Sequence, residues 1–204
     1  DLLAEELGAN GVDRPPSRFR WVFDPIDGTT NYAHGLPIYC SSLALEVDGR
    51  SEVAAIYDPI RRELFTAERG EGAYLNGQAL GVSDARTLRD WLLVAGVPYT
   101  VHDELDDLVH LFGAFLGCTR AVRRLGSAAL DLCYVAAGRF EGFWEQHLKL
   151  WDVAAGALIV EEAGGRVTGM DGGPFDPAAS HLIASNGHVH DEIVSVIERF
   201  RRPR

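Results

Sequence analysis

Cysteine is scarce in this chain, which has 204 residues and only three cysteines: Cys40, Cys118 and Cys133. Their odd number and wide spacing give neither a disulfide framework nor a zinc-binding pattern. Apolar runs long enough to cross a bilayer are also missing, and no signal peptide opens the chain. These absences indicate buried free thiols, a cytoplasmic location and no membrane partner.

Positive charge is scarce as well, because 19 Lys and Arg stand against 30 Asp and Glu, which gives a formal net charge of -11 at pH 7. Such an excess of acid opposes general attraction to nucleic acids and anionic membranes, so no nucleic-acid partner is expected. Hydrophobic residues make up 47% of the chain, which is enough for a sizeable core. The length suits a single domain spanning residues 1–204.

One stretch, WVFDPIDGTTN at residues 21–31, passes from strand-forming residues into turn formers. Its apolar start predicts a buried strand over 20–23. Pro25 should end regular strand pairing, because proline has no backbone N–H to donate. The stretch therefore predicts a rigid strand that breaks at a group of polar residues.

Two carboxylates, Asp24 and Asp27, lie at this break. Gly28 permits a backbone bend or close approach to a ligand, and Thr29 or Thr30 would cap a short helix whose free N–H groups suit an anion. In isolation, aspartates before Pro and Gly are most often simple turn residues. As a pair they repel each other unless a cation lies between them, and hard divalent cations prefer oxygen ligands. The two residues alone leave both interpretations open.

The rest of the sequence alternates between strand-like and helix-like patterns. Alternating or apolar runs predict strands over 41–47, 52–57, 63–67, 73–75, 91–97, 121–125, 140–145 and 181–184. Apolar residues at helical spacing predict helices over 103–116, 126–137, 152–163 and 191–200. Asp48-Gly49 and Asn76-Gly77 predict tight hairpin turns, and residues 8–18 a polar loop. An antiparallel meander followed by helix–strand units predicts an α/β fold.

For three of these elements the sequence also predicts which residues lie on the same face. The helix over 103–116 is expected to point inward with Leu105, Leu108, Val109, Phe112 and Phe115. The helix over 191–200 is expected to point inward with Ile193, Val196 and Ile197. The strand over 41–47 places Leu43, Leu45 and Val47 on one face.

The string Asp24-Pro-Ile-Asp-Gly-Thr-Thr-Asn31 resembles the first signature of the inositol monophosphatase family, the magnesium-dependent, lithium-sensitive phosphatases of sugar phosphates. Trp151-Asp-Val-Ala-Ala-Gly156, running into Glu162-Ala-Gly-Gly165, resembles the second signature. Both occur in the family's order, and the resemblance covers essentially the whole chain. It implies a layered α-β-α-β-α sandwich that hydrolyses a phosphate monoester.

The resemblance also implies a metal centre. The family has a Gly-Glu-Glu motif shortly before the first signature, which here reads Ala4-Glu5-Glu6, so Glu5 is the implied ligand and Glu6 the alternative. The implied ligands of one Mg²⁺ are Glu5, Asp24 and the Ile26 carbonyl, and those of a second are Asp24, Asp27 and Asp152. A third, weaker ion is implied near Glu5, and Mn²⁺ is a possible substitute. From the pattern alone, the only role of Asp152 could equally be a favourable interaction with the dipole at the N-terminal end of its helix.

The substrate implied by the resemblance is a sugar or polyol phosphate, most closely inositol 1-phosphate. The family assigns binding of substrate to residues that here are Asp27, Gly28, Thr29, Gly126, Ser127, Ala128, Glu145 and Asp152. Backbone N–H groups of Gly28 and Thr29 would hold the phosphate, and Glu145 would accept ring hydroxyls. The Thr29 hydroxyl and Glu5 would orient the attacking water. Ser127 is also a natural N-cap, and both roles can hold together.

One part of the family pattern has no counterpart in the sequence. Family members carry two long helices before the Glu-Glu motif, so the chain is expected to be a fragment or to have lost an N-terminal part. Loss of the helices would expose the face that they cover and predicts instability or association. A homodimer is the family expectation. Three alternatives stay open: fructose-1,6-bisphosphatase activity, histidinol-phosphate phosphatase activity, and a non-catalytic scaffold or binding protein.

Overall fold

A computed structural model describes residues 1–6, 8–9, 17–87, 91–97, 105–179 and 181–201. Its strands are β1 (Leu2–Ala4), β2 (Gly8–Ala9), β3 (Phe19–Asp27), β4 (Cys40–Val47), β5 (Arg50–Asp58), β6 (Glu63–Glu68), β7 (Gly72–Leu75), β8 (Gln78–Ala79), β9 (Leu92–Ala95), β10 (Ala121–Arg123), β11 (Gly142–Glu145), β12 (Arg166–Thr168) and β13 (Leu182–Ser185). Its helices are α1 (Thr29–Ala33), α2 (Leu105–Cys118), α3 (Ala128–Ala136), α4 (Leu150–Glu162) and α5 (His190–Arg201), with a 3₁₀ turn at Pro177–Ala179.

The first sheet has eight strands in the order β2-β1-β3-β4-β5-β6-β7-β8. From β3 to β8 it is the predicted antiparallel meander, whereas β1 pairs with β3 in parallel. The predicted hairpin turns are confirmed, since Asp48 and Asn76 have φ angles of 53° and 50° and each precedes a glycine with positive φ. Two successive residues with positive φ form the type I′ turn, whose twist matches that of the strands it joins.

Two predictions in the first part of the chain need correction. Regular pairing stops at Pro25 as predicted, but β3 does not end there, because pairing with β4 resumes at Asp27 opposite Cys40 after a shift in register. A bulge in the ladder accommodates the proline. Within the bulge, no hydrogen bond to β4 requires an N–H at position 25. The loop predicted over 8–18 contains strand β2, which pairs with β1. Residues 10–16 of that loop lie outside the described part of the chain.

The second sheet has five strands in the order β10-β9-β11-β13-β12. Strands β10, β9 and β11 are parallel, and β13 and β12 add in antiparallel orientation. Strand β12 is not predicted by the sequence, because only three residues separate the glycines that end α4 from the next turn. Its central residue, Val167, is nevertheless buried in the core.

The elements stack in layers, and the predicted layered α/β class is confirmed. Helices α3 and α4 lie between the two sheets, in a core that contains Val22 and Ile56 of the first sheet and Phe143 of the second. Helices α2 and α5 cover the far side of the second sheet, around Trp144 and Phe115. Helix α4 is buried from Val153 to Val160, as its nearly uniform apolar sequence predicts.

The face of the first sheet that points away from α3 and α4 has no helix over it among the described residues. In β4, the buried residues alternate with half-buried ones, and the predicted set Leu43, Leu45 and Val47 belongs to this outer face. Neighbouring strands add apolar residues that are each more than a third exposed: Phe19, Trp21, Val53, Tyr57, Leu64 and Tyr74. We call these nine residues the outer apolar face.

Several helix predictions are confirmed with shifted ends. Helix α5 points inward with Ile193, Val196 and Ile197, as predicted. Helix α4 begins at Leu150 rather than at Asp152, which places Asp152 in its first turn. In α2 the prediction is partly wrong, because Leu105 and Val109 are exposed and Leu111 is buried in their place. Residues 103–104 of that prediction lie outside the described part of the chain.

The three cysteines are free thiols, with Cys40 and Cys133 buried and Cys118 half-buried. Among the described residues, every helix is too short or too polar to cross a bilayer.

Candidate active site

A cleft of about 400 Å³ opens where strands of both sheets end beside the first turns of α3 and α4. It is lined by all the residues that the resemblance implies: Glu5, Asp24, Ile26, Asp27, Gly28, Thr29, Gly126, Ser127, Ala128, Glu145 and Asp152. The fold thus brings together residues from five segments of the chain. Their individual roles stay predictions.

Strand register places the first acidic residues of the cleft side by side. Ala4 of β1 lies opposite Phe23 of β3, and the Glu5 N–H donates to the Phe23 carbonyl at 3.3 Å. Glu5 therefore follows β1 at the level where Asp24 follows Phe23. Of the two alternatives in the sequence, Glu5 lines the cleft, whereas Glu6 is not part of its lining.

Three carboxylates form the acidic centre of the cleft. Asp24, Asp27 and Asp152 each offer one oxygen, and these oxygens all lie within 4.8 Å of one another. Asp24 and Asp27 come from the end of β3, and Asp152 comes from the first turn of α4 on the opposite wall. Three carboxylates at this separation repel one another strongly, so a cation is the natural partner of their ionised forms.

One oxygen of each carboxylate is fixed by the protein. Asp24 Oδ1 accepts the Ile26 N–H at 2.9 Å, and Asp152 Oδ2 accepts the Lys149 N–H at 2.6 Å. Asp27 Oδ2 accepts the Ser127 hydroxyl at 2.5 Å and the Ala129 N–H at 2.8 Å. These bonds orient the three groups while engaging a single oxygen of each, which is the arrangement that a metal ligand requires.

The acidic centre shifts the pKa values of its members upward. Burial raises the pKa of Asp24 to about 8, and the negative charge of Asp27 adds to the effect. Burial likewise raises the pKa of Asp152 to about 7, and it raises the pKa of Asp27. Protons and a metal ion therefore compete for the same oxygens near neutral pH.

Ser127 occupies the predicted N-cap position of α3, but its hydroxyl does not cap the helix. It donates to Asp27, and Cys40 Sγ lies 3.7 Å from the same Asp27 oxygen as a weaker donor. At the other short helix, α1, the cap residue is Gly28 rather than Thr29 or Thr30. The Thr29 hydroxyl instead donates to the Ile26 carbonyl at 3.0 Å, so it lies beside the acidic centre.

Glu145 lies at the end of β11 and lines the same cleft as Asp27. Its carboxyl group lies against Gly96, so a Cβ at position 96 would require the Glu145 side chain to move. Burial raises the pKa of Glu145 to about 8, with further contributions from the charges of Asp27 and Asp152. Arg124, which also lines the cleft, acts in the opposite direction.

Sequence reasoning assigned no role to four polar residues in or beside the site. The Asn31 amide donates to the carbonyls of Ile38 and Leu125 at 2.9 and 2.8 Å and so joins the first signature to the segment before α3. The cations Arg124 and Lys149 and the imidazole of His147 line the cleft as well. Their sequence positions, two or three residues from Gly126, Glu145 and Asp152, were the available signal.

Comparison with known proteins identifies the family to which this architecture belongs. The model of the inositol monophosphatase family matches residues 1–201. The chain belongs to the inositol monophosphatase family. This membership confirms the resemblance carried by the two signatures and the predicted enzyme class, a metal-dependent phosphoric monoester hydrolase.

Individual relatives of the family are similar over nearly the whole chain. A protein of Pasteurella multocida named Nus factor SuhB is 44% identical over 197 residues, which are 97% of this chain and 73% of that protein. An inositol-1-monophosphatase of Mesorhizobium japonicum is 41% identical, over 97% of this chain and 74% of that protein. The solved structure of inositol monophosphatase from Anabaena (Nostoc) sp. PCC 7120 superposes with a TM-score of 0.92 at 41% identity, covering 97% of this chain and 78% of that one.

Proposed function

We propose that the protein hydrolyses inositol 1-phosphate to inositol and inorganic phosphate, with Mg²⁺ as its cofactor. The observation that carries the proposal is the cluster of Asp24, Asp27 and Asp152, whose oxygens lie within 4.8 Å of one another in a cleft with further polar walls. The name of the Mesorhizobium japonicum relative supports the choice of substrate.

The donor set fits a hard divalent cation. It contains only oxygen ligands, and the protein orients each carboxylate through one oxygen, which leaves the other oxygen to a metal. We assign one Mg²⁺ to Glu5, Asp24 and the Ile26 carbonyl, a second to Asp24, Asp27 and Asp152, and a third, weaker ion to the neighbourhood of Glu5. Mn²⁺ suits the same oxygen donors. When bound, such ions polarise the phosphate ester and lower the pKa of a water molecule.

The remaining groups of the first signature bind the phosphate and the water. Gly28 and Thr29 present backbone N–H groups at the edge of the acidic centre, where they can donate to phosphate oxygens. The Thr29 hydroxyl and the Glu5 carboxylate both line the cleft and are assigned to orient the attacking water. A new bond forms between phosphorus and the water oxygen, and the bond from phosphorus to the inositol oxygen breaks. The water gives up one proton and the departing inositol oxygen gains one, so the products are inositol and inorganic phosphate.

The opposite wall binds the inositol ring. The segment Gly126-Ser127-Ala128 lines the cleft beside the acidic centre. Glu145 faces the cleft from the second sheet, and its carboxylate can accept hydrogen bonds from two adjacent hydroxyls. A polyol phosphate therefore meets metal ligands at one end and a hydroxyl acceptor at the other.

The deciding experiment is release of phosphate from inositol 1-phosphate during a Mg²⁺ titration. Asp27→Asn should lower kcat/KM by at least about 100-fold, because it removes a ligand charge. Asp48→Asn is the matched control, since Asp48 lies in an exposed hairpin turn. Turnover that is independent of Mg²⁺, or equal loss in both variants, would contradict the proposal. Relative rates with fructose 1,6-bisphosphate and histidinol phosphate measure the two alternative substrates.

A second candidate function is non-catalytic, because the Pasteurella multocida relative bears the name Nus factor SuhB and is 44% identical. Wild-type protein that binds Mg²⁺ in calorimetry but cleaves none of the three esters would favour this candidate. We further propose a homodimer in a reducing, cytoplasmic compartment, which the free thiols support. Sedimentation of the purified protein tests the dimer.

A further inference from the structure

Cys40 is buried at the edge of the acidic centre, and the mechanism proposed above does not use it. It begins β4, is 1% exposed, and its Sγ lies 3.7 Å from Asp27 Oδ2 and 3.8 Å from Ser127 Oγ. Cys133 is also buried, in α3, but makes no hydrogen bond to the acidic centre among the described residues. The two buried thiols of the core therefore differ in their contact with Asp27.

The bulge in β3 brings Cys40 and Asp27 together. Asp24 pairs with Ser42. An unbroken antiparallel ladder from that pair would place Asp27 opposite Tyr39. The bulge inserts one residue into β3, and Asp27 instead lies opposite Cys40. Side chains of directly opposite residues lie on the same face of a sheet and contact each other, so the irregularity presents a thiol to the carboxylate.

The available hydrogens determine which group donates in this contact. The Ser127 hydroxyl has one hydrogen, which it donates to Asp27 Oδ2 at 2.5 Å. As a metal ligand, Asp27 is ionised and has no hydrogen to give. The Cys40 S–H is therefore the donor, and both neighbouring oxygens are acceptors. Burial, and then the charge of Asp27, raises the pKa of Cys40 well above its usual range, so the group stays a thiol.

Asp27 Oδ2 consequently accepts from three groups. The Ser127 hydroxyl and the Ala129 N–H belong to α3 and its cap position, whereas the thiol belongs to β4. Asp24 and Asp152, by comparison, each accept from one backbone N–H near them in sequence. Donors from two separate elements restrain the Asp27 carboxylate against rotation, which keeps its second oxygen available to a metal.

We propose that Cys40 is a positioning residue, whose S–H hydrogen bond to Asp27 Oδ2 keeps the other oxygen of Asp27 directed towards a Mg²⁺ ion. Within the described structure Cys40 does not line the cleft, so it acts through Asp27. A thiol is a weaker donor than a hydroxyl, and the expected effect is correspondingly moderate. This inference rests on the proposed function, since it assigns Asp27 to a Mg²⁺ ion.

The test is the affinity for Mg²⁺, measured by isothermal titration calorimetry without substrate. Cys40→Ala removes the donor and should raise the Kd for Mg²⁺ about three-fold, as expected for loss of a weak S–H···O bond. Cys40→Ser keeps a donor and should retain the wild-type Kd. Cys133→Ala is the matched control, because it removes a buried sulfur from the same core and should leave the Kd unchanged.

Three results of the calorimetry would overturn the inference. They are an unchanged Kd in Cys40→Ala, an equal increase in Cys133→Ala, and a Cys40→Ser variant as impaired as Cys40→Ala.

The dependence of turnover on Mg²⁺ separates positioning from a merely structural role. In Cys40→Ala, the Mg²⁺ concentration for half-maximal hydrolysis of inositol 1-phosphate should rise about three-fold, while kcat at saturating Mg²⁺ stays at the wild-type value. A lower kcat at saturating Mg²⁺ with an unchanged requirement for Mg²⁺ would contradict the proposed role.

Infrared spectroscopy tests the hydrogen bond itself without any activity, because the S–H stretching band moves to lower frequency when a thiol donates. The difference spectrum between wild type and Cys40→Ser isolates the Cys40 band. It should lie below the Cys133 band and should move when Asp27→Asn removes the charged acceptor. A Cys40 band that coincides with that of Cys133 and does not respond to Asp27→Asn would overturn the inference even if Cys40→Ala does not fold.

Failure of the proposed function would appear separately, as wild-type protein that cleaves no inositol 1-phosphate at saturating Mg²⁺.

Discussion

Gly28 and Gly126 approach each other so closely that a Cβ on Gly28 would lie 3.3 Å from the Gly126 carbonyl oxygen. The same Cβ would lie 2.9 Å from the Ile38 carbonyl, and Gly28 has a φ of 90°. The first signature and the segment before α3 therefore meet through their backbones. The two segments can meet in this way only because Gly28 has no side chain.

Gly28→Ala is expected to lower the free energy of unfolding by about 2–3 kcal/mol, because it combines an unfavourable φ with a steric clash. Gly35→Ala is the matched control: Gly35 has a φ of +71°, but a Cβ added there would have nothing within 4 Å of it. Its cost should be only about 1 kcal/mol. Chemical denaturation measures both variants, and equal losses would show that the close approach contributes nothing.

His190 gives a prediction about acid stability. It is fully buried at the start of α5, where the Thr168 hydroxyl lies 2.8 Å from Nε2 and the Ser185 hydroxyl 2.8 Å from Nδ1. The Thr168 hydroxyl donates to the Gly169 carbonyl and the Ser185 oxygen accepts the Gly187 N–H, so the neutral Nε2–H tautomer satisfies every group. Burial, and then the charge of Arg166, lowers the pKa of His190 to about 4.

Because the unfolded state binds a proton at His190 more readily than the folded state, its contribution to stability is complete above pH 6.5 and falls as the pH drops towards 4. The loss should reach about 3 kcal/mol at pH 4. His190→Asn should be less stable than wild type at pH 7 but should lose less on acidification, as measured by urea unfolding at each pH. His34→Asn, an exposed position, should retain the wild-type profile.

The acidic centre predicts a stabilisation by Mg²⁺ that grows with pH. Without metal, the raised pKa values of Asp24 and Asp152, about 8 and about 7, favour folding only while these groups keep their protons. That contribution is complete below about pH 4 and is lost as the pH rises through about 7 and 8. Mg²⁺ binds the ionised form, so its effect on Tm should be larger at about pH 8 than at about pH 5.5.

Differential scanning fluorimetry with and without saturating Mg²⁺ measures this shift. Asp27→Asn should abolish most of it, whereas Asp48→Asn should not change it. A Mg²⁺ effect of equal size at the two pH values would contradict the assignment of the three carboxylates as ligands.

The outer apolar face predicts association in solution. Trp21 is 44% exposed and lies opposite Leu45, which in turn lies opposite Val53, so the apolar residues are continuous across three strands. Trp21→Thr should weaken self-association at least about ten-fold, because a large aromatic residue dominates such contacts. Val109→Thr, at an exposed position of α2, is the control. Sedimentation velocity that shows a wild-type monomer at all concentrations would contradict the prediction.

Much of the site is predictable because two contiguous strings carry it. Asp24, Asp27 and Gly28 belong to the first signature, and Asp152 belongs to the second. By contrast, the partners that hold these groups come from distant parts of the chain: Ser127 lies 100 positions from Asp27, and Asn31 lies 94 positions from Leu125. No local pattern encodes such contacts.

The errors in the fold have the same origin. Proline lacks a donor and interrupts regular pairing at Pro25 as predicted, but the strand continues to Asp27 because its pairing with β4 shifts in register. In α2, Leu111 replaces Val109 on the buried face, since the second sheet and α5 decide which side of a broadly apolar helix is covered. Periodicity predicts that such a helix exists, whereas packing against neighbouring elements determines which of its sides is buried.

The carboxylates of the acidic centre and of Glu5 lie on segments that the chain separates by most of its length: Glu5 after the first strand, Asp24 in β3, and Asp152 in α4. A shared ion would consequently act as a reversible cross-link between these segments, much as a disulfide restrains a long loop. Global unfolding would then have to wait for ion release. Resistance to proteolysis, and hence the lifetime of the native state, would follow the free Mg²⁺ concentration.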